Sequence, residues 1–214
     1  MKLSDLAWNK SYSVYKAFIY HPFNQDLMSG TLPMSKFSYY MEQDSYYIRN
    51  EARVEGDIVS LINEEYMDDF LGYSFDSLLY LKTVDYFFEI TNSTKIGNLT
   101  AASIDYSNHI LSRNSFEESV AAILPCFWFY SEAGVYMADN MSDNNPYAQW
   151  IDSYSSEEFS KKTNKLIDIF DYLADHSTPN MREAMVDAFY KSAIKEVIFY
   201  NDIYDMRYYD DAYL

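Results

Sequence analysis

Apolar residues recur three and four positions apart through most of this chain, which is the helical period. A first helix is expected over residues 3–20, with Leu6, Val14 and Phe18 turned inward. A short helix follows between His21-Pro22 and Gly30-Thr31, where Gly30 is suited to a left-handed cap. Pro33 fits the first turn of the next helix, where its missing N–H is no loss, and that helix should reach the middle fifties. Tyr40, Asp44 and Tyr47 fall on one face of it. Residues 57–66 are expected to continue helically, and "FDSLLYLKTVDYFFEI" (75–90) reads as a further helix ended by the polar "TNSTKIGN". Helices are also expected over 99–113, carrying Tyr106 and His109, and over 116–138, with a kink at Pro125. "DNMSDNNP" reads as a loop and "AQWIDSY" as a short helix. An amphipathic helix over 156–176 and a long last helix starting at "STPNMREAM" complete the chain.

Composition supports the pattern. Five Gly and five Pro in 214 residues are too few for the many turns of a sandwich or barrel, so the fold class is all-α. No repeat or low-complexity linker divides the chain, and a single domain over 1–214 is expected. A net charge of −17 repels phosphate backbones and anionic bilayers, which argues against nucleic acid and membrane partners. One cysteine cannot form an internal disulfide, and "MKLSDLAWNK" lacks the apolar stretch of a signal peptide. The longest apolar run, around 120–130, is short for a bilayer, and a soluble cytoplasmic protein is expected.

Candidate chemistry is sparse. Three histidines are too few for a histidine-rich metal centre, and no metal or other cofactor is expected. His21 reads as a partner of a helix start, His176 as a solvated helix end and His109 as a packed residue. Cys126, in "AAILPCFWFYSEAG", follows a proline among aromatic residues, and on local sequence alone a packing role is favoured. Carboxylates in aromatic helices say more, because burial shifts their proton affinity. Asp44, in "YYMEQDSYYI", lies on the tyrosine face, whereas Glu42 reads as solvated. Glu196 sits in "SAIKEVIFYND".

Taken together, these segments resemble the TenA family, the thiaminase II or aminopyrimidine aminohydrolase proteins. The resemblance rests on His21-Pro22-Phe23, Gly30-Thr31-Leu32-Pro33, Phe37, Tyr40, Gln43-Asp44 and Tyr47. It also rests on "AAILPCFWFYSEAG", matching A-x-L-P-C-x-W-x-Y-x-x-x-G, and on "NPYAQWIDSYSSEEF". It implies an all-helical, haem oxygenase-like fold and a homotetramer. The implied reaction is hydrolysis of an aminomethylpyrimidine derived from thiamin to the hydroxymethylpyrimidine and ammonia, with thiamin as a further substrate. Carried over residue by residue, it makes Cys126 the nucleophile, Glu196 the catalytic glutamate and Asp44 the substrate-binding aspartate, with Tyr47, Tyr106 and Tyr154 lining the pocket. The chain departs from the family at Lys195, where an aromatic residue is usual, and at Phe199-Tyr200, near a usual Trp. Adjacent helical residues diverge, so Lys195 is expected to face away from Glu196.

The chemistry explains these residue types. Adding a thiolate to a ring carbon breaks aromaticity and lets the amine depart, and a proton on a ring nitrogen eases that addition. A non-catalytic binder of pyrimidine or thiamin is the alternative reading. A haem or metal oxygenase on the same fold is disfavoured by the scarcity of histidine.

Overall fold

The computed structural model describes residues 1–62, 64–88 and 96–206, with the backbone alone over 83–88. In chain order its helices are α1 (Leu3–Ile19), α2 (Pro22–Ser29), α3 (Met34–Ile58), α4 (Met67–Phe88), α5 (Asn98–Leu111), α6 (Phe116–Asn140), α7 (Ala148–Ser155), α8 (Glu157–Asp175) and α9 (Pro179–Asp205). No strand occurs among the described residues. The chain divides into two compact units, one of residues 1–32 and 117–200, the other of 33–116 and 201–214.

The first unit is built on aromatic packing. Tyr200 stacks between Phe18, at 4.8 Å, and Phe23, at 5.0 Å, while Phe129 packs on Phe18 and Phe189. In α1 the buried face runs through Leu3, Ala7, Ser11 and Phe18. Phe18 is inward as expected, Val14 is half-buried and Leu6 is exposed, because the buried stripe lies one position away from Leu6. The start of α1 is tied to α8 through Asp171, whose carboxylate accepts hydrogen bonds from the Ser4 amide at 2.9 Å and the Ser4 hydroxyl at 2.7 Å.

The caps of this unit follow the sequence closely. His21 Nδ1 accepts from the Phe23 amide at 3.1 Å, and Gly30 ends α2 at φ 75°. Ser156 Oγ caps α8 by accepting from the Phe159 amide at 3.2 Å, and Thr178 Oγ1 accepts from the Met181 amide at 3.3 Å. The polar loop before α7 has a purpose of its own. Asn145 is buried and its Nδ2 donates to the carbonyls of Leu27, at 2.9 Å, and Met28, at 2.8 Å. These belong to the last turn of α2, whose carbonyls lack intrahelical partners. Asn145 Oδ1 accepts from the Tyr147 amide at 2.8 Å, and the Tyr147 hydroxyl donates to the Leu32 carbonyl. The Asn-Pro-Tyr triplet thus fastens the loop to the end of α2.

α6 runs unbroken through Pro125. It is long and apolar enough to cross a membrane, and about two-thirds of its apolar window is buried inside the protein, where it serves as a core helix. Its helical length exceeds the apolar run that the sequence singled out.

In the second unit, α3 packs against α4 and α5. The expected continuous helix over 57–66 is instead two short 3-10 turns, Val59–Leu61 and Glu64–Tyr66. Ser60 Oγ donates to the Asp57 carbonyl at 2.7 Å, a local bond that competes with the helical ladder. α4 begins at Met67, eight residues before the expected start, with Asp68 and Asp69 in a first turn that favours negative charge. The helix end expected at "TNSTKIGN" falls mostly outside the described residues.

Asn145→Ala should lower the stability of the folded protein by about 1–3 kcal/mol, since it strips buried carbonyls of their donors. Chemical denaturation, read against Asn145→Asp, measures the loss.

Candidate active-site residues

Cys126 sits on α6 immediately after Pro125 and is half-buried. Pro125 has no N–H, so the carbonyl of Ala121 loses its helical donor there. One residue on, the Ala122 carbonyl accepts a hydrogen bond from Ser192 Oγ of α9 at 2.5 Å. Cys126 lies four residues after Ala122, and Glu196 four residues after Ser192. Each is one helical turn beyond that contact, on the side of its helix that makes it. Glu196 is 3% exposed, while Lys195 beside it is half-buried.

Tyr154, near the end of α7, is half-buried in a cluster of rings, 4.7 Å from Trp150, 5.1 Å from Tyr130 and 5.2 Å from Phe159. Gly134 of α6 lets this cluster form. A Cβ at that position would meet the Tyr154 carbonyl carbon at 2.6 Å and the Ser155 nitrogen at 2.8 Å, so only glycine admits the backbone of α7. The Gly ending the second sequence signature is therefore a packing residue.

In the second unit, Asp44 is 3% exposed on the face it shares with Tyr40 and Tyr47, both also buried. Burial pushes the Asp44 carboxyl up to about 7, against the opposing effect of a hydrogen bond from the Tyr80 hydroxyl. That bond is 3.0 Å long and ends on Asp44 Oδ2. Gln43, the neighbour of Asp44 in the signature, has a different task. Its Oε1 accepts from the Gly97 amide at 2.8 Å and so fixes the start of α5, which carries the half-buried Tyr106. The Leu99 amide, donating to Asp202 Oδ2 at 3.2 Å, holds the same end.

Sequence reasoning missed three residues here. Tyr80 gave no signal beyond its place in an aromatic helix. Glu51 and Glu55 lie seven and eleven residues after Asp44 on α3 and are as buried as it is. The helical period from Asp44 would have found both. Burial raises Glu51 to about 7, countered by hydrogen bonds from Ser107 and Asn50 and by Arg53. Burial and then the Glu51 charge raise Glu55 to about 8, although Ser77 Oγ donates to Glu55 Oε2 at 2.9 Å. Of the histidines, His21 and His176 lie where expected, but His109 is exposed rather than packed, because α5 turns that side to solvent. No group of three or more His, Cys, Asp or Glu is placed to hold a metal ion among the described residues.

Comparison with known proteins places the chain in a lineage. The sequence profile of the TENA/THI-4/PQQC family matches residues 7–70 and 89–206. The chain belongs to this family. Among curated relatives, it is 28% identical to the aminopyrimidine aminohydrolase of Bacillus subtilis, over 99% of this chain and 94% of that one. It is also 28% identical to the aminopyrimidine aminohydrolase of Helicobacter pylori, over 95% and 99% of the two chains. Among solved structures, a TenA homologue from P. horikoshii OT3 superposes with a TM-score of 0.87 at 24% identity, covering 96% of this chain and 99% of that one. A domain of unknown function with a heme oxygenase-like fold from Shewanella denitrificans superposes at 0.73, with 11% identity and coverage of 96% and 93%. The all-α, haem oxygenase-like fold is that of the family.

Tyr80→Phe removes a bond donated to the ionised carboxylate, so the Asp44 carboxyl should titrate above its present value of about 7. Carbon-detected NMR of labelled aspartate reads the shift, and an unchanged midpoint contradicts it. Stability should also depend on pH in a set direction. Asp44, Glu51 and Glu55 hold their protons in the folded chain up to about 7, 7 and 8, well above their ordinary values of 3.8, 4.5 and 4.5. Between those limits the folded state binds more protons than the unfolded one, so these groups lower stability as pH rises from about 4 to 8. Glu55→Gln should flatten that slope and raise the melting temperature at pH 8, as thermal melts across the range will record.

Proposed function

We propose that this protein is a hydrolase acting on 4-amino-5-aminomethyl-2-methylpyrimidine, releasing ammonia and the 5-hydroxymethyl product, with thiamin as a second substrate. The carrying observation is that Cys126 and Glu196 each follow, by one turn, the contact between Ser192 and Ala122. They do so in a chain similar over nearly its whole length to proteins named aminopyrimidine aminohydrolase. The reading takes residues 1–214 as one functional domain, supported by relatives that match across both units. It also takes the protein to be cytoplasmic and a homo-oligomer, a tetramer as the family resemblance implies.

In this reading the Cys126 thiolate bonds to a ring carbon while Glu196 gives its proton to a ring nitrogen. The bond from the methylene carbon to the amine, protonated at neutral pH, then breaks, and nitrogen leaves as ammonia. Water adds to the methylene carbon and gives up a proton. The ring nitrogen returns its proton to Glu196, the carbon–sulfur bond breaks and the ring regains aromaticity. One water is consumed and one ammonia released. Asp44, carrying the Tyr80 hydroxyl on one oxygen, recognises the amino edge of the pyrimidine with the other. Tyr47, Tyr106 and Tyr154 supply ring faces and hydroxyls.

The test is ammonia release from the aminomethylpyrimidine, run beside thiamin cleavage. Cys126→Ser and Glu196→Gln should each lower kcat by roughly 10²–10⁴-fold, while Asp44→Asn should act mainly through KM. Binding of the pyrimidine without ammonia release at any pH would favour the non-catalytic alternative. Full activity in Cys126→Ser would remove the nucleophile.

A further inference from the structure

The outward face of α4 is apolar. Leu71 is 48% exposed, Phe75 65%, Leu78 53% and Leu79 52%, and their spacing puts them in one row along the helix. The opposite face, through Phe70, Tyr73 and Leu81, is the one buried in the protomer. A contiguous exposed row of this kind marks an interaction surface. Gly72 lies within it, and a Cβ there would meet nothing within 4 Å. Glycine is a poor helix former, and nothing in the protomer calls for it. A close approach from outside does.

We propose that this row is the core of an isologous interface, on which α4 of a second copy of the chain packs antiparallel about a twofold axis at Phe75. The pattern is self-complementary about that residue, as such an interface requires. Phe75 meets its own copy, Leu71 meets Leu79, and Leu78 fills the notch at Gly72. At the two ends, Asp68 meets Lys82, both exposed. Within one copy these two charges stand about 21 Å apart along the helix, too far to pair with each other. Across the axis each finds an opposite charge, which fixes the register and favours a second copy over an unrelated partner.

The inference gives a face to the homo-oligomer of the preceding reading, and it is tested without substrate. Sedimentation velocity over a concentration series should show wild-type assembly. Phe75→Glu should halve the assembled mass while leaving helicity and melting temperature unchanged. Asp68→Lys should weaken association several-fold, and adding Lys82→Asp should restore it. Phe75→Cys should form a covalent dimer under mild oxidation, where the wild-type chain, whose only thiol is Cys126, does not. A monomeric wild type overturns both the oligomer and this interface. An oligomer indifferent to Phe75→Glu overturns the interface alone, and dissociation by Phe75→Glu without the Phe75→Cys cross-link overturns the antiparallel axis. Ammonia release, assayed separately, bears on the chemistry and on neither of these.

Discussion

A proline in the middle of a buried helix removes a backbone donor, and in the first unit a side chain from another helix meets α6 beside that gap. Pro125 interrupts the hydrogen-bond ladder of α6, and Ser192 of α9 donates to the carbonyl of Ala122 beside the interruption. A hydroxyl-to-carbonyl bond of this kind stabilises a buried site by about 1 kcal/mol. It joins α9 to α6 one turn before Glu196 on the one helix and one turn before Cys126 on the other.

The second unit depends on a different constraint. Three carboxylates are buried along one face of α3, and burial outweighs the donors each has, so they hold their protons up to about 7 or 8. Asp44 has a hydroxyl on one oxygen, from Tyr80. A carboxyl balanced near neutrality is suited to recognising an amidine-like edge, because it can serve as donor or acceptor at little cost. Stability is given up for it, and Glu51 and Glu55 deepen the same cost. The signature pair Gln43-Asp44 divides its labour. One side chain anchors α5 through Gly97, and the other accepts the Tyr80 hydroxyl.

Much of this was legible in the sequence. Helix starts announced by His21 and Thr178, and the end announced by Gly30, needed only capping rules, and the structure agrees with each. The shared face of Tyr40, Asp44 and Tyr47 followed from period alone. What escaped had physical causes. The start of α4 was obscured because its exposed row is as apolar as its buried one, which blurs the helical stripe. The break after Ile58 leaves no mark on the apolar pattern; the bond from Ser60 to the Asp57 carbonyl there is of the same kind as the one from Ser45 to Glu42 within the unbroken α3. Tyr80 is found only through the partner it reaches, 36 residues away. Gly134 and Asn145 belong to recognised signatures, yet their roles, admitting one backbone and tying down another, appear only in three dimensions.

The central claim is that the chemistry passes through one sulfur atom, and the chain offers an unusually clean way to test it, since Cys126 is its only thiol. The decisive measurement is stoichiometric alkylation, followed by intact mass alongside residual ammonia release. The account predicts that activity falls in proportion to the single mass addition, and that the aminomethylpyrimidine slows both together. A fully alkylated protein that turns over substrate at the unmodified rate would contradict it.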